Sequence, residues 1–161
     1  MGINKKIYLA SPLGFSESTF SFMQKIETSL IELGYVIINP WRLTNSDEFE
    51  RIGQILNENE RIKAYRKLNL EIGTRNENAI NESEIILAIL DGTDVDSGTA
   101  SEIGYAFAKN KRIIGYRNDF RMAGENPGSI INIQVEYWIL KSNGIILHDL
   151  RELIEYFKNI D

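Results

Sequence analysis

Residues 85–102 read IILAILDGTDVDSGTASE: an unbroken apolar run, a polar turn, and the opening of a helix. The apolar run does not alternate, as expected of a strand covered on both faces. Four more short runs of this kind lie at residues 7–10, 35–39, 112–116 and 144–148, most of them rich in Ile, Val or Tyr. Segments of helical spacing fall between them. Phe22, Ile26, Leu30 and Leu33 recur at three and four residues, and Gly34 follows as a helix stop. Ile55, Ile62, Tyr65, Leu68 and Ile72 predict a second helix, with a break at Gly73 before residues 76–83. Ile103, Phe107 and Ala108 mark a third, and Leu150, Leu153, Ile154 and Phe157 a closing one. Strands alternating with helices predict right-handed βαβ units. The expected fold is a flavodoxin-like, doubly wound, five-stranded and mostly parallel α/β sheet in a single domain spanning residues 1–161. The polar stretches 40–50 and 117–129 would leave the carboxyl ends of strands, the edge where such sheets bind ligands.

Composition narrows the chemistry. The 161 residues contain no cysteine, which excludes thiol nucleophiles, disulfides and cysteine-ligated metals. The only histidine, His148, cannot build a multi-histidine metal site, and at a strand end it is expected to be structural. Eighteen basic against 23 acidic residues give a net charge of −5, which argues against a nonspecific nucleic-acid surface. No apolar run approaches a membrane span or a signal peptide, so the expectation is a soluble cytoplasmic protein without nucleic-acid or membrane partners. Enzymatic chemistry, if present, falls to carboxylates.

The densest group of these is Asp91, Asp94, Asp96 and Glu102, all at the ligand-binding edge. Thr99-Ala100-Ser101-Glu102 fits a capping box, in which the glutamate merely reaches back to the cap. The alternative is a carboxylate in the first helical turn, held ionised by the helix dipole and suited to nucleophilic attack. Asp96 is similarly either a cap or turn residue, or a ligand contact. Neither a P-loop nor a G-x-G-x-x-G follows a strand. Asp94-x-Asp96-x-Gly98 resembles a calcium loop only loosely, since the later ligands are missing.

Tyr8-Leu9-Ala10-Ser11-Pro12, the stretch from Asp96 through Gly98 and Glu102 to Ala106, residues 116–121 and Ile131-Asn132-Ile133 together resemble the nucleoside 2-deoxyribosyltransferases. The D-x-G-x-x-x-E-x-G-x-A pattern is the specific part, and the resemblance runs to about residue 134. It implies an enzyme of nucleoside salvage that moves a 2-deoxyribosyl group between nucleobases by retaining double displacement, without metal or cofactor. Its partners would be 2′-deoxynucleosides and free bases. By position, the resemblance makes Glu102 the nucleophile and has Tyr8 orient it. It has Asp96 bind the 5′-hydroxyl beside Gly98, and Asn132 enter the site from a neighbouring subunit of a homo-oligomer. Asn76 stands where such enzymes often carry an aspartate that contacts, and can protonate, the departing base. An amide cannot act as a general acid, so Asp94 or water would have to serve. Phe15, Trp41 and Trp138 lie on or near expected loops and could stack on a base, although packing is the commoner role.

Two other functions fit the same fold. A related hydrolase cleaves 2′-deoxynucleoside 5′-monophosphates, but similar sequences place a serine where this one has Asp96. A carboxylate there would repel a phosphate. A non-catalytic nucleotide-binding module is also compatible with the fold, but it has no evident use for a nucleophile beside a tyrosine.

Overall fold

The computed structural model describes residues 4–160, apart from the side chain of Phe15. Five strands, β1 (Lys6–Ala10), β2 (Val36–Ile38), β3 (Ile85–Ile89), β4 (Arg112–Tyr116) and β5 (Ile146–Leu147), form one sheet. Its order is β2-β1-β3-β4-β5, and every pairing is parallel. The expected sheet is therefore present, with its short strands at the two edges.

The two-residue period of a strand divides the core. Ile7, Leu9, Leu87 and Ile114 face one layer, where they meet Ile26 and Leu30 of α1 (Glu17–Glu32) and Leu153 and Phe157 of α6 (Leu150–Asn159). Tyr8, Ala10, Ile86, Ala88 and Ile113 face the other layer. There they pack on Ile80 of α3 (Glu58–Glu82), Ile103 of α4 (Ser97–Ala108) and Ile139 of α5 (Ile133–Lys141). This alternation turns Tyr8 toward α4. Helix α1 stops where the sequence indicated. Gly34 takes a φ of +93°, its N–H reaches the Ile31 carbonyl, and Tyr35 N–H reaches that of Leu30.

Two expectations need correction. Helix α3 runs for 25 residues without a break at Gly73. The cost of one exposed glycine, about 1 kcal/mol, is outweighed by the continuous packed stripe on either side of it. Ile55 precedes this helix rather than belonging to it. Within the polar stretch 40–50 lie a turn of 3₁₀ helix (Pro40–Arg42) and the start of α2 (Ser46–Gly53), closed by an Asn45/Glu48 capping box. Helix α5 was not anticipated, because its β-branched and aromatic residues carry little helical signal. Among the described residues, no helix is long and apolar enough to cross a membrane.

Candidate active site

The carboxyl edge of the sheet opens into a cavity of about 470 Å³, a size usual for small-molecule sites. The turn after β3 delivers Asp96 as the N-cap of α4, its Oδ2 accepting from Thr99 N–H at 2.9 Å and Thr99 Oγ1 at 3.3 Å. A Cβ on Gly98 would stand 3.0 Å from that oxygen, so glycine lets the cap close tightly.

Because Asp96 is the cap, Glu102 is not the partner of a Thr99 capping box. It lies in the second turn of α4, one turn beyond the strongest influence of the helix dipole. Its Oε1 instead accepts from the Tyr8 hydroxyl at 2.6 Å, while the tyrosine is fully buried beneath it. Burial raises the Glu102 carboxyl to about 7, the Tyr8 hydrogen bond pulls it down, and Asp96 adds repulsion. The helix dipole therefore does not set its ionisation; burial and the Tyr8 hydroxyl do. The tyrosine hydroxyl is pushed far up, first by burial and then by Glu102, and stays a donor.

Asp96, Gly98 and Glu102 form one side of the cavity, and Pro40, Trp41, Phe49 and Ile72 give it an apolar wall. Trp41 donates its indole N–H to the Ser11 carbonyl at 3.0 Å. Its turn is held by Asn39, which accepts from Trp41 N–H and donates to the buried Glu27 carboxylate at 2.6 Å. Asn76, on α3, lines the same space. Ser11, Thr44, Ser46, Phe49 and Ile72 line it too but were not singled out from sequence. The available signals were the position of stretch 40–50 after a strand and, for Ser11, the quoted Tyr8–Pro12 motif.

Other candidates lie elsewhere. Asn132 caps α5, its Oδ1 accepting from Gln134 and Val135 N–H and its Nδ2 donating to Glu125 at 2.7 Å. It does not line the cavity of its own chain. Asp94 is exposed and accepts from Val95 N–H at 2.7 Å, so it is not positioned as an acid over the cavity. Trp138 belongs to α5, where it stacks on Phe107 with centroids 6.4 Å apart and covers Gly104; it does not reach the site. The Phe15 side chain falls outside the described residues. His148 Nδ1 bonds the Arg117 carbonyl at 3.0 Å, in keeping with a structural role.

Comparison with solved structures finds the fold elsewhere. A conserved protein from Enterococcus faecalis V583 is 22% identical over 96% of this chain and 98% of its own, with a TM-score of 0.68. A 2-deoxyribosyltransferase from Bacillus psychrosaccharolyticus is 26% identical, covering 97% and 92%, with a TM-score of 0.57. A CMP N-glycosidase from Clostridium botulinum is 20% identical, covering 94% and 95%, also at 0.57. No curated protein sequence matches. The family model for nucleoside 2-deoxyribosyltransferase matches residues 7–136, which include Tyr8, Asn76, Asp96, Glu102 and Asn132. The chain belongs to the nucleoside 2-deoxyribosyltransferase family.

Proposed function

We propose that this protein transfers the 2-deoxyribosyl group of a free 2′-deoxynucleoside from one nucleobase to another, with Glu102 as nucleophile. One observation carries the reading. The Tyr8–Glu102 pair, at 2.6 Å, borders a cavity lined by two carboxylates and, among the described residues, by no lysine, arginine or histidine.

Glu102 attacks the anomeric carbon as the first base departs, forming a glycosyl ester. The second base then displaces Glu102, and two inversions give net retention. The Tyr8 hydroxyl holds one carboxylate oxygen and leaves the other to attack. Asp96 spends Oδ2 on its cap, and its remaining oxygen accepts from the sugar's 5′-hydroxyl. The substrate's neutrality follows from charge. A 5′-phosphate, close to dianionic at pH 7, would enter beside Asp96 with no lining cation to offset the repulsion. That consideration favours the nucleoside over a monophosphate such as the substrate named for the Clostridium botulinum relative. A purely binding module would gain nothing from placing a half-buried carboxylate against a buried tyrosine.

The same reading makes the protein a homo-oligomer, with Asn132 of one copy completing the sugar site of another. Ile133, Tyr137 and Leu140 recur on α5 directly after Asn132 and are each at least half exposed, which gives a second copy an apolar surface to cover. The test is one incubation of a 2′-deoxynucleoside with a different free base, followed by chromatography. The expected product is the exchanged deoxynucleoside, formed without added metal. Formation of only free base and deoxyribose 5-phosphate, from a monophosphate, would instead make the protein a hydrolase.

A further inference from the structure

Beside the apolar wall of the cavity one polar atom lacks a partner. Asn76 lines the space, and its Oδ1 is buried without a hydrogen bond among the described residues. That enclosed oxygen is an acceptor, so what Asn76 can offer an electron-rich group in the cavity is its Nδ2–H. Around it stand Pro40, Trp41, Phe49 and Ile72, with the hydroxyls of Thr44 and Ser46. None of these groups exchanges a proton near neutral pH.

The titratable lining groups are Asp96 and Glu102, and both are engaged. Asp96 caps α4, and Glu102 is held by Tyr8 of β1 as the nucleophile. The charged neighbours of Asn76 on α3 turn elsewhere. Arg75 forms a two-pronged pair with Glu48 of α2, each bond 2.8 Å long, and Glu77 accepts from the Tyr105 hydroxyl of α4 at 2.9 Å.

We infer that Asn76 contacts the base through a neutral amide and that no side chain lining this chain's cavity protonates the departing base. The preferred substrates are then nucleosides whose base leaves as a stabilised anion. This rests on the deoxyribosyl-transfer reading. In the first half-reaction a Glu102 oxygen bonds to the anomeric carbon while the glycosidic C–N bond breaks, and the electron pair of that bond leaves with the base. The anion takes a hydrogen bond from the Asn76 Nδ2–H and gains its proton from water. In the second half-reaction the incoming base has given its proton to water. It forms the new C–N bond as the Glu102 ester bond breaks, which restores the carboxylate.

The test measures kcat/KM for base release, which covers the steps through loss of the base. One donor series is 5-fluoro-2′-deoxyuridine, 2′-deoxyuridine and thymidine, and the other is 2′-deoxyinosine and 2′-deoxyadenosine. Within each series the rate should climb steeply with the acidity of the freed base. The pH profile should rise through the ionisation of Glu102 and then stay level. Asn76→Asp places a third carboxylate among Asp96 and Glu102, where repulsion favours its protonated form. It should speed the poorest donors about a hundredfold or more, flatten both series and bend the pH profile into a bell. Asn76→Ala should slow every donor and keep the slope. A flat series with a bell-shaped profile in the unmodified protein would overturn the inference while leaving deoxyribosyl transfer intact. Unchanged kinetics in both Asn76 variants would also overturn it. Base release from no donor at all would refute the transfer reading itself, and the inference with it.

Discussion

Glu102 concentrates the conflict between stability and chemistry. Its folded carboxyl keeps a proton to about pH 7 against an ordinary value of 4.5, chiefly through burial. Between these values the folded state binds the extra proton. Stability therefore falls as pH rises from about 4.5 to about 7 and is level on either side. Glu102→Gln keeps the acceptor for Tyr8 and removes the charge. It should match the unmodified protein near pH 4.5 and exceed it at pH 8 by on the order of 2 kcal/mol, after allowance for partial contact with solvent. Chemical denaturation at the two pH values checks this, and a loss at pH 8 would contradict it. The same variant should lose base exchange by several orders of magnitude, because the ester cannot form. Tyr8→Phe removes the bond that lowers the carboxyl. Exchange should slow less severely, and the midpoint of its rise with pH should move upward. An unchanged midpoint would mean the hydroxyl does not tune Glu102.

The N-terminus of α4 combines capping with the proposed recognition of substrate at Asp96. Serine is also a good cap, so Asp96→Ser should cost the helix little, whereas alanine would cost about 1 kcal/mol. Any larger effect of the serine variant then reports on substrate. KM for the free nucleoside should rise, and the gap to the 5′-monophosphate should narrow as the repelling charge goes. A thermal melt beside steady-state kinetics separates the two effects. An unchanged preference would remove Asp96 from 5′-end recognition.

What the sequence revealed at this scale follows from the same physics. The strands were legible because burial on both faces leaves unbroken apolar runs, and α1 because Gly34 ends a clear stripe. Helix α5 was hidden because Ile133, Val135, Tyr137, Trp138 and Ile139 serve a helix through tertiary packing rather than propensity. The cap was left open in the sequence because Asp96 and Thr99 are both good N-caps three residues apart, and only the backbone path decides between them. The juxtaposition of Tyr8 and Glu102, 94 residues apart in sequence, came from the family pattern, since no local periodicity encodes it.

For the whole molecule, the cavity gathers Tyr8's partner Glu102, Asp96, Gly98 and Asn76 within one chain, while Asn132, the cap of α5, is not among its lining residues. A shared site reconciles that separation with the proposed role. Asn132→Ser preserves a capping side chain and removes the amide. Mixed with inactive Glu102→Ala subunits under conditions that let copies exchange, Asn132→Ser protein should recover part of the lost activity. Some hybrid sites would then hold both intact residues. Full activity from a sedimenting monomer would refute the shared site.

The central claim is a covalent bond between Glu102 and the sugar. Its most direct test is acid-quenched intact mass spectrometry, with peptide mapping, after brief incubation with a 2′-deoxynucleoside and no acceptor base. The account predicts a mass gain of one 2-deoxyribosyl group, carried by the peptide containing Glu102 and absent from Glu102→Gln. Exchange that proceeds with no such adduct, or with the sugar on another residue, would contradict it.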